Sequence, residues 1–331
     1  MKKLLFGIAA FLVAAATISV ISKSLTSQQT AKSNIMIQYN FIGDYEQAWQ
    51  KVDSLENEGL SRSALEIVNE IYVKAKEDGN QPQFIKSIFY KLKFTDYTEE
   101  NSDVKIIRDL KGEISKAKFP ANAILRSILA NTYWKYYQNN RWQIQARTET
   151  LNFDNDDFKT WDLERLVQEI SMNFEGSLEN ADSLKKSAVS DFEDILVYAE
   201  NRETKLRPTL YDLLANNALN FYTNDESSLL DPIYKFELKS PDDFSDAKDF
   251  IKIKYETKDT ISLKFKAIEL YQKLIAFHLN DEEKDALIDI DLSRLNFIRR
   301  KSVSQQKDLL YLSALKSMQK RHTKTPFSSL I

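Results

Sequence analysis

Cysteine is absent from the 331 residues, so neither a disulfide nor a lipid anchored through sulfur is available to this chain. Glycine and proline number only 6 each, too few for a protein built on many tight β-turns, phosphate loops or collagen-like segments. Histidine occurs twice, as His278 and His322, in different helical segments and without HExxH or related ligand spacing. That excludes a histidine-based metal or proton-transfer centre. Charge of either sign is not in excess: 46 Lys and Arg stand against 49 Asp and Glu, with a pI near 5.7. Without a long-range basic field to gather phosphates, nucleic acid is not an expected partner.

What is present is apolar patterning. Lys2 and Lys3 precede the uncharged run LLFGIAAFLVAAATISVI, which has the form of an export signal and approaches the roughly 17 to 25 residues of a membrane-spanning helix. Residues 1–24 are therefore expected to be a signal peptide or an N-terminal anchor, residues 25–40 a polar linker, and residues 41–331 an α-helical domain. The expected location is outside the cytoplasm, in the periplasm or cell envelope, with membrane contact only through the N-terminal segment.

From Tyr45 onward apolar residues recur at helical spacing. Tyr45, Ala48, Trp49, Val52 and Leu55 form one stripe, closed by Gly59. Ser61 or Ser63 can cap a second helix with Leu65, Val68, Ile71, Tyr72 and Ala75 on its buried face, and Gly79 ends it. Further amphipathic segments follow, including Ala121 to Asn140 with Pro120 at an early helical position. The expected fold is all-α: an irregular α-solenoid of stacked helical hairpins, tetratricopeptide-like in its alternation of small and large residues around Ala64, Val68 and Ile71. One departure is Asp231 to Asp259, where alternation in FIKIKYET points to a short strand or an extended connection.

Three places invite chemistry. The stretch RTETLNFDNDDFKTWDLERL gathers Glu149, Asp154, Asp156 and Asp157, as a calcium loop would. Calcium-loop spacing fails, because Asp157 stands where glycine is required and Leu163 where glutamate is. A helix-connecting turn is the simpler expectation, with Thr160 or Asp157 capping a helix near Trp161 and Asp162 and Glu164 facing its positive end. The run YWKYYQNNRWQIQAR could stack sugars or bases on its rings. Since Tyr133, Trp134, Tyr136 and Tyr137 cover more than one helix face, packing between neighbours or a protein contact surface is the plainer expectation. The candidate interaction surface is thus Tyr133, Trp134, Tyr137 and Trp142 with Asp154, Asp156 and Asp157. Finally, Asp285, Asp289 and Asp291 could pair for acid–base work, but no nucleophile motif or substrate cradle lies nearby. His278, at a helix end, is expected to bond terminal carbonyls or Asp281. No catalytic residue, cofactor or metal ligand is assigned.

Several segments, taken in order, resemble the N-terminal helical region of the alpha-2-macroglobulin family proteins of Bacteroidetes. They are YEQAWQKVDSLENEGLSRSALEIVNEIYVKAKEDGNQPQFIKSIFYKLKF, AILRSILANTYWKYYQNNRW, RTETLNFDNDDFKTWDLERL, RPTLYDLLANNALNFY and KAIELYQKLIAFHLND. The resemblance implies the start of a longer envelope protein, or a separately encoded equivalent, and the ending HTKTPFSSLI fits a truncated frame. In the family, macroglobulin β-sandwiches and a terpenoid-cyclase-like helical domain follow, and thioester-bearing members trap proteases covalently. A CGEQ-type thioester cannot form here without cysteine, and the sandwiches are missing, so no functional residue carries over. The implied role is a noncatalytic scaffold or protein-interaction module linked to protease inhibition, whose partners are proteases or the remaining macroglobulin domains. The alternative is a solenoid of the cell envelope that binds a glycan or small molecule.

Overall fold

A computed structural model of the chain describes residues 44–100, 102–147, 157–195, 203–224 and 234–322. The expected signal or anchor and its linker lie outside the described residues. Among the described residues the fold is all-helical; the sole β-pairing there is an isolated bridge between Ala188 and Thr209. No described helix is long and apolar enough to cross a membrane. Two compact units can be distinguished, one carrying the first four helices and the other the helices after Ala121.

In the first unit, α1 (Tyr45–Asn57), α2 (Ser61–Asp78), α3 (Gln81–Thr98) and α4 (Ser102–Ile114) each pack on the next in sequence. The Asp44 side chain caps α1 by accepting the Glu46 N–H at 2.8 Å. Trp49, Val52 and Leu55 bury one stripe of α1 against Ala64, Ile67, Val68 and Ile71 of α2, with Phe94 of α3 closing the cluster. Trp49 donates its indole N–H to the buried Gln83 side chain at 2.6 Å, which ties α1 to α3.

Both expected glycine stops are present, with φ of +74° at Gly59 and +66° at Gly79. The Leu60 N–H reaches the Leu55 carbonyl at 2.8 Å and Gly59 that of Glu56 at 2.9 Å, the bond pair of a Schellman cap. Asn80 and Gly79 repeat the arrangement on Ala75 and Lys76. The start of α2 differs from expectation: Leu60 occupies the cap position and Ser61 is already helical, because the Gly59 turn is too tight to leave a serine outside the helix.

Space around these glycines yields a prediction. A Cβ at Gly79 would meet no atom, so only the left-handed backbone opposes it. Gly79→Ala is expected to destabilise the first unit by about 1 to 2 kcal/mol. Gly112, inside α4 and equally unobstructed, behaves oppositely: Gly112→Ala stabilises by about 0.5 to 1 kcal/mol through helix propensity. Urea unfolding of the two variants, compared with the parent chain, checks both signs.

The second unit begins with α5 (Ala121–Gln145) and contains α6 (Leu163–Ser177), α7 (Ala181–Lys186), α8 (Glu203–Leu206), α9 (Leu210–Tyr222), α10 (Ala247–Phe250), α11 (Leu263–His278), α12 (Asp285–Lys301) and α13 (Lys307–Arg321). Pro120 sits in the turn before α5 rather than inside its first turn. α9 is the hub, touching α6, α7 and α11, and α11 then packs on α12 and α12 on α13. α5 runs past the expected end but breaks its helical geometry at Asn140 (φ −116°, ψ 20°), whose side-chain amide donates to the Tyr136 carbonyl at 2.9 Å. Such a side chain competes with the backbone ladder and kinks the helix. Residues 253–257, within the expected strand or extended connection, belong to no helix or strand. They follow a short turn at Pro241–Phe244, where Ser240 and Asp243 form a capping box.

Candidate functional site

The aromatic run on α5 does not form an exposed platform. Tyr133, Trp134 and Tyr137 are buried. Trp134 stacks on Tyr137 and meets the edge of Phe221 from α9, with 5.0 Å between centroids in both cases. Tyr133 packs against Phe158 and Trp161, and Tyr136 against Phe158 at 4.8 Å. The rings are used up in joining α5 to its neighbours, which removes the stacking surface for sugars or bases. Of the four expected aromatic residues Trp142 alone is open, 82% exposed; it follows the kink at Asn140, and Ile144 two residues on is buried again.

The acidic stretch divides. Glu149, Asp154 and Asp156 lie outside the described residues. Asp157 caps the single turn Phe158–Thr160 by accepting the Lys159 N–H at 3.1 Å. The cap of α6 is Asp162, whose side chain accepts the Arg165 N–H at 2.8 Å, and not Thr160 or Asp157. The helix starts two residues later than expected because the turn at 158–160 intervenes. Arg147 donates to the Trp161 carbonyl at 2.5 Å, pinning together the two ends of the segment. No cluster of three or more His, Asp or Glu with metal-binding geometry occurs among the described residues.

A buried titratable group bonded at both ring nitrogens is His278, at the C-terminal end of α11 and 2% exposed. Nδ1 lies 2.7 Å from Asp281, the partner expected from local spacing. Nε2 lies 2.7 Å from Asp212 on α9, a partner 66 residues away that no local pattern announces. The other Asp212 oxygen accepts the backbone N–H and the hydroxyl of Thr209, completing the capping box of α9. Carboxylates only accept, so the imidazole that satisfies both is the doubly protonated cation. Burial pushes the His278 pKa down, but the hydrogen bonds and charges of Asp212 and Asp281 outweigh it, and the net shift is upward. With both nitrogens engaged and the ring sealed, this is a clamp between α9 and α11 rather than a general base.

Its pH consequence has a definite sign. A histidine whose pKa rises on folding stabilises the fold fully below its unfolded value of about 6.5, and that stability is lost as pH climbs through the higher folded value. The second unit is therefore expected to melt at falling temperature as pH rises from about 6 toward 9. Lys185 of α7 lies over the Tyr211 and Phe277 rings of the same region, 5.0 Å from each centroid. His278→Gln should flatten the slope; a thermal melt series in which parent and variant keep parallel slopes would refute the clamp.

Of the acids weighed as an acid–base pair, Asp291 is bound to buried Arg294 at 2.6 to 2.8 Å. The same guanidinium donates to the carbonyls of Asp243 at 2.8 Å and Ser245 at 3.0 Å and lies 4.2 Å above the Phe250 ring. Burial raises the Asp243 pKa, with the Tyr255 hydroxyl, donating at 2.9 Å, acting against it. Arg321 pairs with Asp246 nearby. The cluster fastens the irregular 240–255 segment onto α12 and α13, and each nitrogen of the guanidinium has a structural acceptor.

An open concave feature is present in the first unit. A groove of about 450 Å³ is lined by α2, α3 and α4. Its floor is Ile88, Thr95 and Leu110, all buried, flanked by the half-buried Leu65 and Leu92. Lys91, Lys105, Arg108 and Lys116 line it with positive charge, against Asp109 and Glu113. Sequence reasoning missed this site. Its signal was a stripe of charge at 105, 108, 109, 113 and 116 on one face of α4, which reads as an ordinary solvated face until α2 and α3 are seen to wall it.

No protein-family profile matches the chain, and neither a curated protein nor a solved structure is significantly similar to it.

Proposed function

We propose that this chain is a noncatalytic interaction module of the cell envelope: an irregular α-solenoid, tetratricopeptide-like in its first unit, serving an alpha-2-macroglobulin-like protein in protease inhibition. The observation that carries this reading is the arrangement of α1 to α4, each packed chiefly on its sequence neighbour and leaving a walled groove of mixed charge. Stacked hairpins of this kind build concave surfaces that work by shape and contact. The groups elsewhere that could have done chemistry support it as well, since His278, Asp212, Asp291 and Arg294 are buried and bonded to one another or to backbone. The family link rests on the ordered sequence segments, and export on the N-terminal apolar run.

Cross-linking the full chain in cells, followed by identification of what is attached, tests the reading. Cross-links to a macroglobulin-domain protein or to a protease are the expected result. Saturable glycan binding with no protein attached would overturn it in favour of the glycan-binding solenoid.

A further inference from the structure

We infer that the α2–α4 groove is a docking site for an acidic peptide segment that carries a large apolar side chain between its carboxylates. The inference rests on the reading of the chain as an interaction module and names the chemistry of the partner.

Charge is the first argument. Four cations face two carboxylates in the groove, and the two carboxylates are already committed. Glu113 accepts the Tyr72 hydroxyl at 2.7 Å and lies 3.5 Å from Lys76, two groups that do not line the groove, while Asp109 sits 3.5 Å from its neighbour Arg108. Lys105 shares an exposed pair with Glu99, the kind of solvent-screened contact that is readily exchanged. The side-chain ammonium groups of Lys91 and Lys116 make no hydrogen bond or ion pair with any described residue. The Lys91 ammonium is half-buried over the Tyr72 ring at 3.9 Å, a face that attracts the cation without neutralising it. Burial lowers the pKa of Lys91, with the charges of Glu113 and Asp109 opposing, so a carboxylate arriving in the groove would favour its charged form.

Distance is the second. From Lys105 on α4 to Lys116 in the turn just past its end, the cations run roughly 15 Å in the direction of the helix. A single oxyanion spans a fraction of that, whereas an extended peptide covers it with about five residues at about 3.3 Å each. The apolar floor of Ile88, Leu92 and Leu110 between the cations suits a leucine or phenylalanine side chain flanked by acids. A nucleic-acid backbone fits poorly, because Asp109 and Glu113 interrupt the cations and the whole chain carries a formal charge of −3.

Fluorescence anisotropy of the full chain with a labelled peptide of alternating glutamate and leucine tests the inference. Saturable binding is expected at low ionic strength, weakening as salt screens it. The double reversal K91E/R108E should weaken binding by at least about tenfold. Gly112→Leu changes no charge and projects into space that a Cβ finds empty, so it should abolish binding by filling the groove while leaving the helical circular dichroism signal intact. Absence of binding, equal binding of a glutamine-for-glutamate analogue, indifference to both variants, or displacement of the peptide by equimolar pyrophosphate or a short oligonucleotide would each overturn the inference. Partner cross-links that persist in Gly112→Leu would place the failure in the groove assignment alone, whereas their absence from the parent chain would place it in the interaction-module reading.

Discussion

Replacing Arg294 with alanine should lower the unfolding midpoint of the second unit by about 10 °C, from a loss of about 3 to 5 kcal/mol at roughly 2 to 4 °C per kcal/mol. The size follows from what the 1%-exposed guanidinium holds. Without it, Asp291 becomes an uncompensated buried carboxylate, and the carbonyls of Asp243 and Ser245 lose their donors. Arg294→Lys should rescue little, because one ammonium cannot serve a carboxylate and two carbonyls in fork geometry. Removing both charges in Arg294→Met/Asp291→Leu should cost less than the single alanine change, since no charge is left unpaired. Burial already raises the Asp291 pKa, with Arg294 acting against that rise. The alanine variant should therefore regain stability on acidification, as the carboxyl takes up a proton. Thermal melts across pH check all of these, and a single variant no less stable than the double would refute the account.

The second large effect separates two tryptophans of one helix. Trp134→Ala should cost about 3 to 5 kcal/mol, the usual loss for truncating a fully packed indole. Trp142→Ala, eight residues on, should stay within about 0.5 kcal/mol. Trp134 is 3% exposed and Trp142 82%, on opposite sides of the Asn140 break. Acrylamide quenching offers a second readout: removal of Trp142 should take away the most accessible part of the emission, and removal of Trp134 should leave it in place.

Much of the architecture was legible from residues because helix formation is settled within a few positions. The apolar stripe of α1, the glycine stops at 59 and 79 and the bond from His278 to Asp281 all depend on groups close together in the chain. Placement within one turn was less legible. Asp157, Thr160 and Asp162 are all acceptable caps, and the choice of Asp162 for α6 followed from an extra turn whose Phe158 is anchored between Tyr133 and Tyr136. The aromatic run illustrates the same limit. Its spread over several helix faces pointed to burial between neighbours, but which ring would remain outside depended on where the neighbouring elements pack against α5.

By itself, then, the sequence determined the all-helical character, the positions of most helices and several of their stops, since hydrogen bonding from residue to residue and the period of the apolar pattern are local properties. Within these 331 residues it also excluded disulfide and cysteine-thioester chemistry by lacking cysteine. Tertiary structure decided the rest. It brought Asp212 to His278 and Asp243 to Arg294, turned the rings of Tyr133, Trp134 and Tyr137 inward, and set a charged face of α4 opposite α2 and α3 to make a groove. The reason is physical: a buried charge or a walled groove is defined by what lies within a few ångströms, and here those neighbours are up to dozens of residues away along the chain.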